Sequence, residues 1–147
     1  MLSKKTKLPE QNIKASRDMV AQQEGNIAIS LQYLTSNKGY NFSYFGNNLR
    51  DKLKFLECFL EFLQRLTSKT RLNISGLRKE NDCGYEHMPF NQIDFQPGNI
   101  VLGKDTNIFV FRLGNGDSYR VLGFFTKESP VFNIIGFDFD YSSYKHS

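Results

Sequence analysis

Hydrophobic positions change their period along this chain, and each change marks an element. From Asn26 to Leu34, "NIAISLQYL" sets Ile27, Ile29, Leu31 and Tyr33 against smaller or polar neighbours, the two-residue repeat of a half-buried strand. "TSNKGYNFSYFGNN" reads as a loop, with a hairpin through Asn37-Lys38-Gly39 that returns as a short strand over Tyr40 to Phe45. The period then becomes helical. Leu49, Leu53, Leu56, Leu60 and Leu63 step by four and three, Phe59 and Leu66 widen the stripe, and Arg50, Lys54, Glu57, Glu61 and Gln64 lie largely off it. This spacing predicts a helix over Leu49 to Thr67, capped by Asn48 with Asp51 in its first turn, and makes Leu53, Leu56, Leu60 and Leu63 the face packed on a sheet. A shorter second helix is read over Thr70 to Arg78, with Gly76 weakening it.

The segment "LRKENDCGYEHMPFNQIDFQPG" is polar, and its Pro89, Pro97, Gly84 and Gly98 predict a loop. Strands resume at Ile108 to Leu113, Ser118 to Phe125 and Val131 to Phe139, joined by Asn115-Gly116, a preferred turn pair, and by "KESP". The expected fold class is α+β: an antiparallel sheet with a long amphipathic helix, and a possible short second one, on one face. Residues 1 to 25 are polar without a sustained apolar face and are read as a flexible arm, leaving 26 to 147 as a single domain.

Composition narrows the picture. Apolar residues make up 39%, and fourteen Phe with seven Tyr and no Trp point to a globular domain whose core is built on phenylalanine. A formal charge of +4 and a pI near 9.1 favour a polyanionic partner. Cys58 and Cys83 make no disulfide framework, and no Cys/His cluster has metal-ligand spacing. With no apolar run of membrane-spanning length and no secretory signal pattern, the expectation is a soluble protein of the reducing cytoplasm.

Candidate chemistry centres on two arginines inside strands, Arg112 and Arg120. A guanidinium on a sheet face needs solvent or an anion beside it. A two-residue turn at Asn115-Gly116 sets Phe111 opposite Arg120 and puts the arginines on opposite faces; a three-residue loop with a bulge shifts the pairing by one and puts them on the same face. Arg120 then either meets a phosphate or pairs with a carboxylate such as Glu86 or Asp138. The closing segment brings Asp138, Asp140, Tyr141, Tyr144, Lys145 and His146 beside the Arg120 strand, or ends as a frayed tail. Asp138 and Asp140 alternate as a metal-binding pair would, with no third ligand in sight.

The run "FRLGNGDSYRVLGFF…VFNIIGFDFDYSSYKH" resembles the C-terminal half of the RelE-type toxins, the messenger-RNA interferases of toxin–antitoxin pairs. In sequence the likeness covers roughly the last third of the chain, and elsewhere only the element order. It implies a RelE-like fold and a cofactor-free, metal-independent endoribonuclease, a toxin-like hydrolase in which the 2′-hydroxyl attacks the adjacent phosphodiester of free or ribosome-bound RNA, with a cognate antitoxin as partner. On that reading Arg120 clamps the phosphate, His87 and His146 share the acid and base roles, Tyr144 stacks on a base or orients the nucleotide, and Arg112, Arg78 and Lys79 steer the backbone. The polar arm, the extra strand at Tyr40 to Phe45 and the long loop from Lys79 to Asn107 depart from the family pattern, and "LRKENDCGYEH" carries no exact basic motif. The competing expectation is a non-catalytic module of the same fold that binds nucleic acid or a protein, as gyrase-inhibiting relatives do, or a phage or defence accessory module. Convergence of Arg120, a histidine and Tyr144 in one open concavity favours catalysis; Arg120 buried against a carboxylate does not.

Overall fold

The structure, a computed structural model, describes residues 25–74, 84–113 and 119–144. Five strands form one sheet: β1 (Ala28–Ser30), β2 (Tyr85–Pro89), β3 (Asn107–Arg112), β4 (Arg120–Phe125) and β5 (Val131–Asp138), in the order β1-β5-β4-β3-β2. β3, β4 and β5 pair antiparallel, as the pattern predicts, and β2 adds antiparallel to β3, whereas β1 lies parallel to β5. The sheet is therefore mixed rather than wholly antiparallel, and β1 is much shorter than the predicted Asn26–Leu34.

The helix α1 spans Leu49–Thr67, the predicted bounds. Its start is closed reciprocally: the Asp51 backbone N–H donates to Asn48 Oδ1 at 3.1 Å, and Asn48 Nδ2 donates to Asp51 Oδ2 at 2.8 Å. The face it buries corrects the sequence reading. Phe55, Phe59, Phe62 and Leu66 enter the core, while Leu60 is 62% exposed and Leu53 51%. Both sets step by three and four, so two apolar stripes lie side by side on the same helix. Aromatic area decides between them. Phe55 alone meets the rings of Phe42, Phe45, Phe59, Tyr119, Phe137 and Phe139.

Three further expectations are revised. Tyr40 to Phe45 is no returning strand; Phe42–Phe45 is a 3-10 turn capped by the Asn41 side chain. The segment read as a loop after Lys79 contains β2 and a 3-10 turn at Phe90–Gln92, because Tyr85 and Met88 pair across to the apolar β3 and need no run of their own. Of the predicted second helix, residues 71–74 form a 3-10 turn, Thr70 precedes it in no helix, and residues 75–78 lie outside the described residues. The Asn115-Gly116 turn and the arm, but for Gly25, also lie outside them.

The sheet is covered on both faces. α1 packs on one, with Phe111, Val121, Phe132, Ile134 and Phe137 beneath it. Loops cover the other, where Phe90, Ile93 and Phe95 join Val110, Leu122, Ile135 and Tyr144. Gly136 makes this second layer fit: a Cβ there would stand 2.5 Å from the Phe95 ring. Thr35 N–H donates to the Ile135 carbonyl at 2.8 Å, and Phe137 N–H donates to the Tyr40 carbonyl at 2.9 Å, so the loop after β1 continues along the edge of β5.

Candidate functional site

Register settles the question of the two arginines. Arg112 on β3 faces Arg120 on β4, which faces Asp138 on β5. The longer loop register is the one adopted, and Leu113 N–H donates to the Tyr119 carbonyl on the same alignment. Phe111, Tyr119 and Phe139, one step away on each strand, contribute to the α1 side. The charged row therefore lies on the loop-covered face, at one end of the sheet.

Its centre is Asp138, which has no exposed surface. Oδ1 accepts from the backbone N–H groups of Asp140 and Ser142 at 3.1 Å each, and Oδ2 accepts from Ser143 N–H at 3.2 Å and Ser143 Oγ at 2.5 Å. A carboxylate surrounded by donors bends the chain back over the strand end. The bend places Tyr141 in the left-handed region at φ 64, a conformation costing a non-glycine residue about 1 kcal/mol or more. Tyr141 in turn lies beneath Arg120, whose guanidinium carbon is 4.5 Å from the ring centroid. Tyr141 remains 48% exposed.

Tyr144 ends the bend. It bridges to Ile93, and Asp94 N–H donates to the Ser143 carbonyl at 2.7 Å, which fastens the segment to the loop layer. Only 6% of its surface is exposed. Burial, then the Glu86 carboxylate, pushes its phenol up to about 12, against an opposing pull from the charge and hydrogen bond of Arg120. A phenol so held is a neutral donor and orienting group, and its buried ring leaves no face for a nucleotide. The ring that can stack is Tyr141.

Arg112 is exposed, and its side chain passes over Gly84, whose carbonyl accepts from the Arg112 backbone N–H at 2.9 Å. A Cβ on Gly84 would stand 2.5 Å from an Arg112 guanidinium nitrogen. Close approach is the reason for glycine there. His87, by contrast, sits opposite Phe109 on β2, with ring centroids 5.9 Å apart, and Phe109 packs with the α1-side cluster. The sheet separates His87 from the arginine row. His146, Arg78 and Lys79 lie outside the described residues.

No family model, curated protein or solved structure matches the chain. The likeness to RelE-type toxins accordingly stands on the residues quoted for it. Among the described residues no group of three or more His, Cys, Asp or Glu is gathered closely enough to hold a metal ion, and no helix is long and apolar enough to cross a membrane. In the Asp138–Asp140 pair, the Asp138 oxygens are taken by the backbone and Ser143.

Of the sequence candidates, Arg112, Arg120 and Tyr144 come together and His87 does not. Tyr141, Ser143 and Gly84 carry roles that were not assigned from sequence. A signal existed for the first two: an aspartate followed at four and five residues by serines is the composition of a side-chain-capped turn.

Proposed function

We propose that the protein binds RNA at the end of the sheet where Arg112, Arg120 and Tyr141 meet, as a binding module rather than through a preformed acid–base pair. The observation that carries this reading is the Arg120 guanidinium seated over a half-exposed tyrosine ring, on the same row as an exposed arginine. Single strands are held by this combination: an aromatic face takes a base at about 1–3 kcal/mol, and cations track the phosphates. Arg120 is engaged at the Tyr141 ring and serves to hold it, and the exposed Arg112 is the phosphate contact. The net charge of +4 supports the same partner.

The RelE-like ribonuclease, with an antitoxin as its partner and free or ribosome-bound RNA as substrate, is the second reading, favoured by the hydrogen bond that brings Arg120 to Tyr144. It requires a proton-transfer group on this face. His146, two residues beyond Tyr144 in sequence, is the candidate, since His87 faces the other way.

Both readings are tested by titrating labelled single-stranded RNA against salt. Arg112→Ala should lower the slope of log affinity against log salt by about one unit, and Tyr141→Leu should weaken binding with the slope unchanged. Wild-type affinity and slope in both variants would overturn the binding site. The same samples, with chelator and with or without ribosomes, report cleavage. A 2′,3′-cyclic phosphate product lost in His146→Ala and kept in His87→Ala would establish the ribonuclease.

A further inference from the structure

The leucine stripe that does not enter the core has a pattern of its own. Leu49, Leu53, Leu56, Leu60 and Leu63 recur at intervals of four, three, four and three, the a/d repeat of a helix that pairs with another helix. Leu56 and Leu63 are half-buried against the α1-side cluster, and the stripe runs outward through Leu49, Leu53 and Leu60, which are 64%, 51% and 62% exposed. Leucine at three exposed positions of one helix is an apolar strip along most of its length of about 28 Å. Alongside it run four exposed charged residues, in the order Arg50, Lys54, Glu57, Glu61.

That order identifies the occupant. We infer that the stripe pairs with the same stripe of a second copy of this chain, the two helices antiparallel. Turned end for end, the cations of the first half of one helix stand beside the carboxylates of the second half of the other, and the relation repeats by the twofold axis. A parallel pair would instead turn this flank toward the other helix's opposite flank, the side on which Phe55, Phe59, Phe62 and Leu66 enter the core, and the charges would find no complement. A helix of uniform charge would repel itself in either direction. The segregation of sign along one flank is therefore complementary to itself in the antiparallel sense alone. The seam lies across the sheet from Tyr141 and Arg112, so it stands or falls separately from RNA binding.

The test is sedimentation equilibrium of the full chain from about 1 to 100 µM. Wild type should dimerise in this range. L53K/L60K, which changes two exposed side chains, should keep the wild-type circular dichroism, match the wild-type melting temperature at concentrations where both chains are monomeric, and raise the dimer dissociation constant by on the order of 100-fold. Glu57→Lys with Glu61→Lys should weaken association, and adding Arg50→Glu with Lys54→Glu should restore it, because the swapped flank is again self-complementary. A wild-type monomer at every concentration would overturn the inference and leave the stripe to a different protein or to residues 1–24. A dimer that survives L53K/L60K, or a charge-swapped chain that stays as weak as the half-swapped one, would overturn it as well.

Discussion

Arg120 and Asp138 face each other across β4 and β5, yet the two side chains lie in different surroundings: the carboxylate has no exposed surface, and the guanidinium reaches a tyrosine ring that is half in solvent. The acid organises the turn that follows it, and the turn delivers Tyr141 to the base. The hold of the carboxylate on the bend and the contact of the guanidinium with Tyr141 are separable by mutation.

Asp138→Asn replaces an acceptor that serves three backbone N–H groups and a hydroxyl. Hydrogen bonds to a charged group contribute about 1.5–3 kcal/mol, and an amide nitrogen turned toward these donors adds an unfavourable contact. We expect a loss of at least about 2 kcal/mol in urea denaturation. Unchanged stability would mean that the carboxylate does not hold the bend.

The two apolar stripes of α1 give opposite expectations. Phe55→Ala should cost about 3–5 kcal/mol, since the ring is wholly buried among six others. Leu60→Ala, at a largely exposed position, should change the stability of the monomer by no more than about 0.5 kcal/mol. Measurement at low protein concentration keeps self-association out of the comparison.

Two glycine substitutions discriminate fold from site. Gly136→Ala drives a Cβ into the Phe95 ring at 2.5 and 2.6 Å and to 3.1 Å from the Tyr40 carbonyl oxygen, and should destabilise by about 1–3 kcal/mol. Gly84→Ala meets only the tip of Arg112, which can swing away. Its stability should remain within about 0.5 kcal/mol of wild type, while RNA affinity falls as it does in Arg112→Ala. Wild-type RNA affinity in Gly84→Ala would show that the position of Arg112 is immaterial.

Tyr144 makes the fold sensitive to alkali. Its phenol stays protonated to about 12 in the folded chain against an ordinary value of 10.0. The folded state then holds a proton that the unfolded state releases, so this contribution is complete below about pH 10 and is lost as the pH rises toward 12. The melting temperature should fall across that window, and less steeply in Tyr144→Phe. Ultraviolet titration should show the late phenolate step in wild type and its absence in the variant.

Local pattern determined much of this molecule. The helix bounds, its Asn48 cap, the three C-terminal strands and a core made of phenylalanine all follow from period, capping chemistry and composition, which act over a few residues. Arg112, Arg120 and the "FDFDYSSY" segment were also legible as unusual, because arginine inside a strand demands a partner. Tertiary structure decided the rest. Phe and Leu stripes on α1 have the same spacing, and only the ring-lined sheet beneath them selects phenylalanine. β2 shows no strand pattern, since its pairing is supplied by β3. The register of Arg112 with Arg120, and the separation of His87 from both, depend on a one-residue choice in strand alignment, and a period of two sends every side chain to the other face when that choice changes.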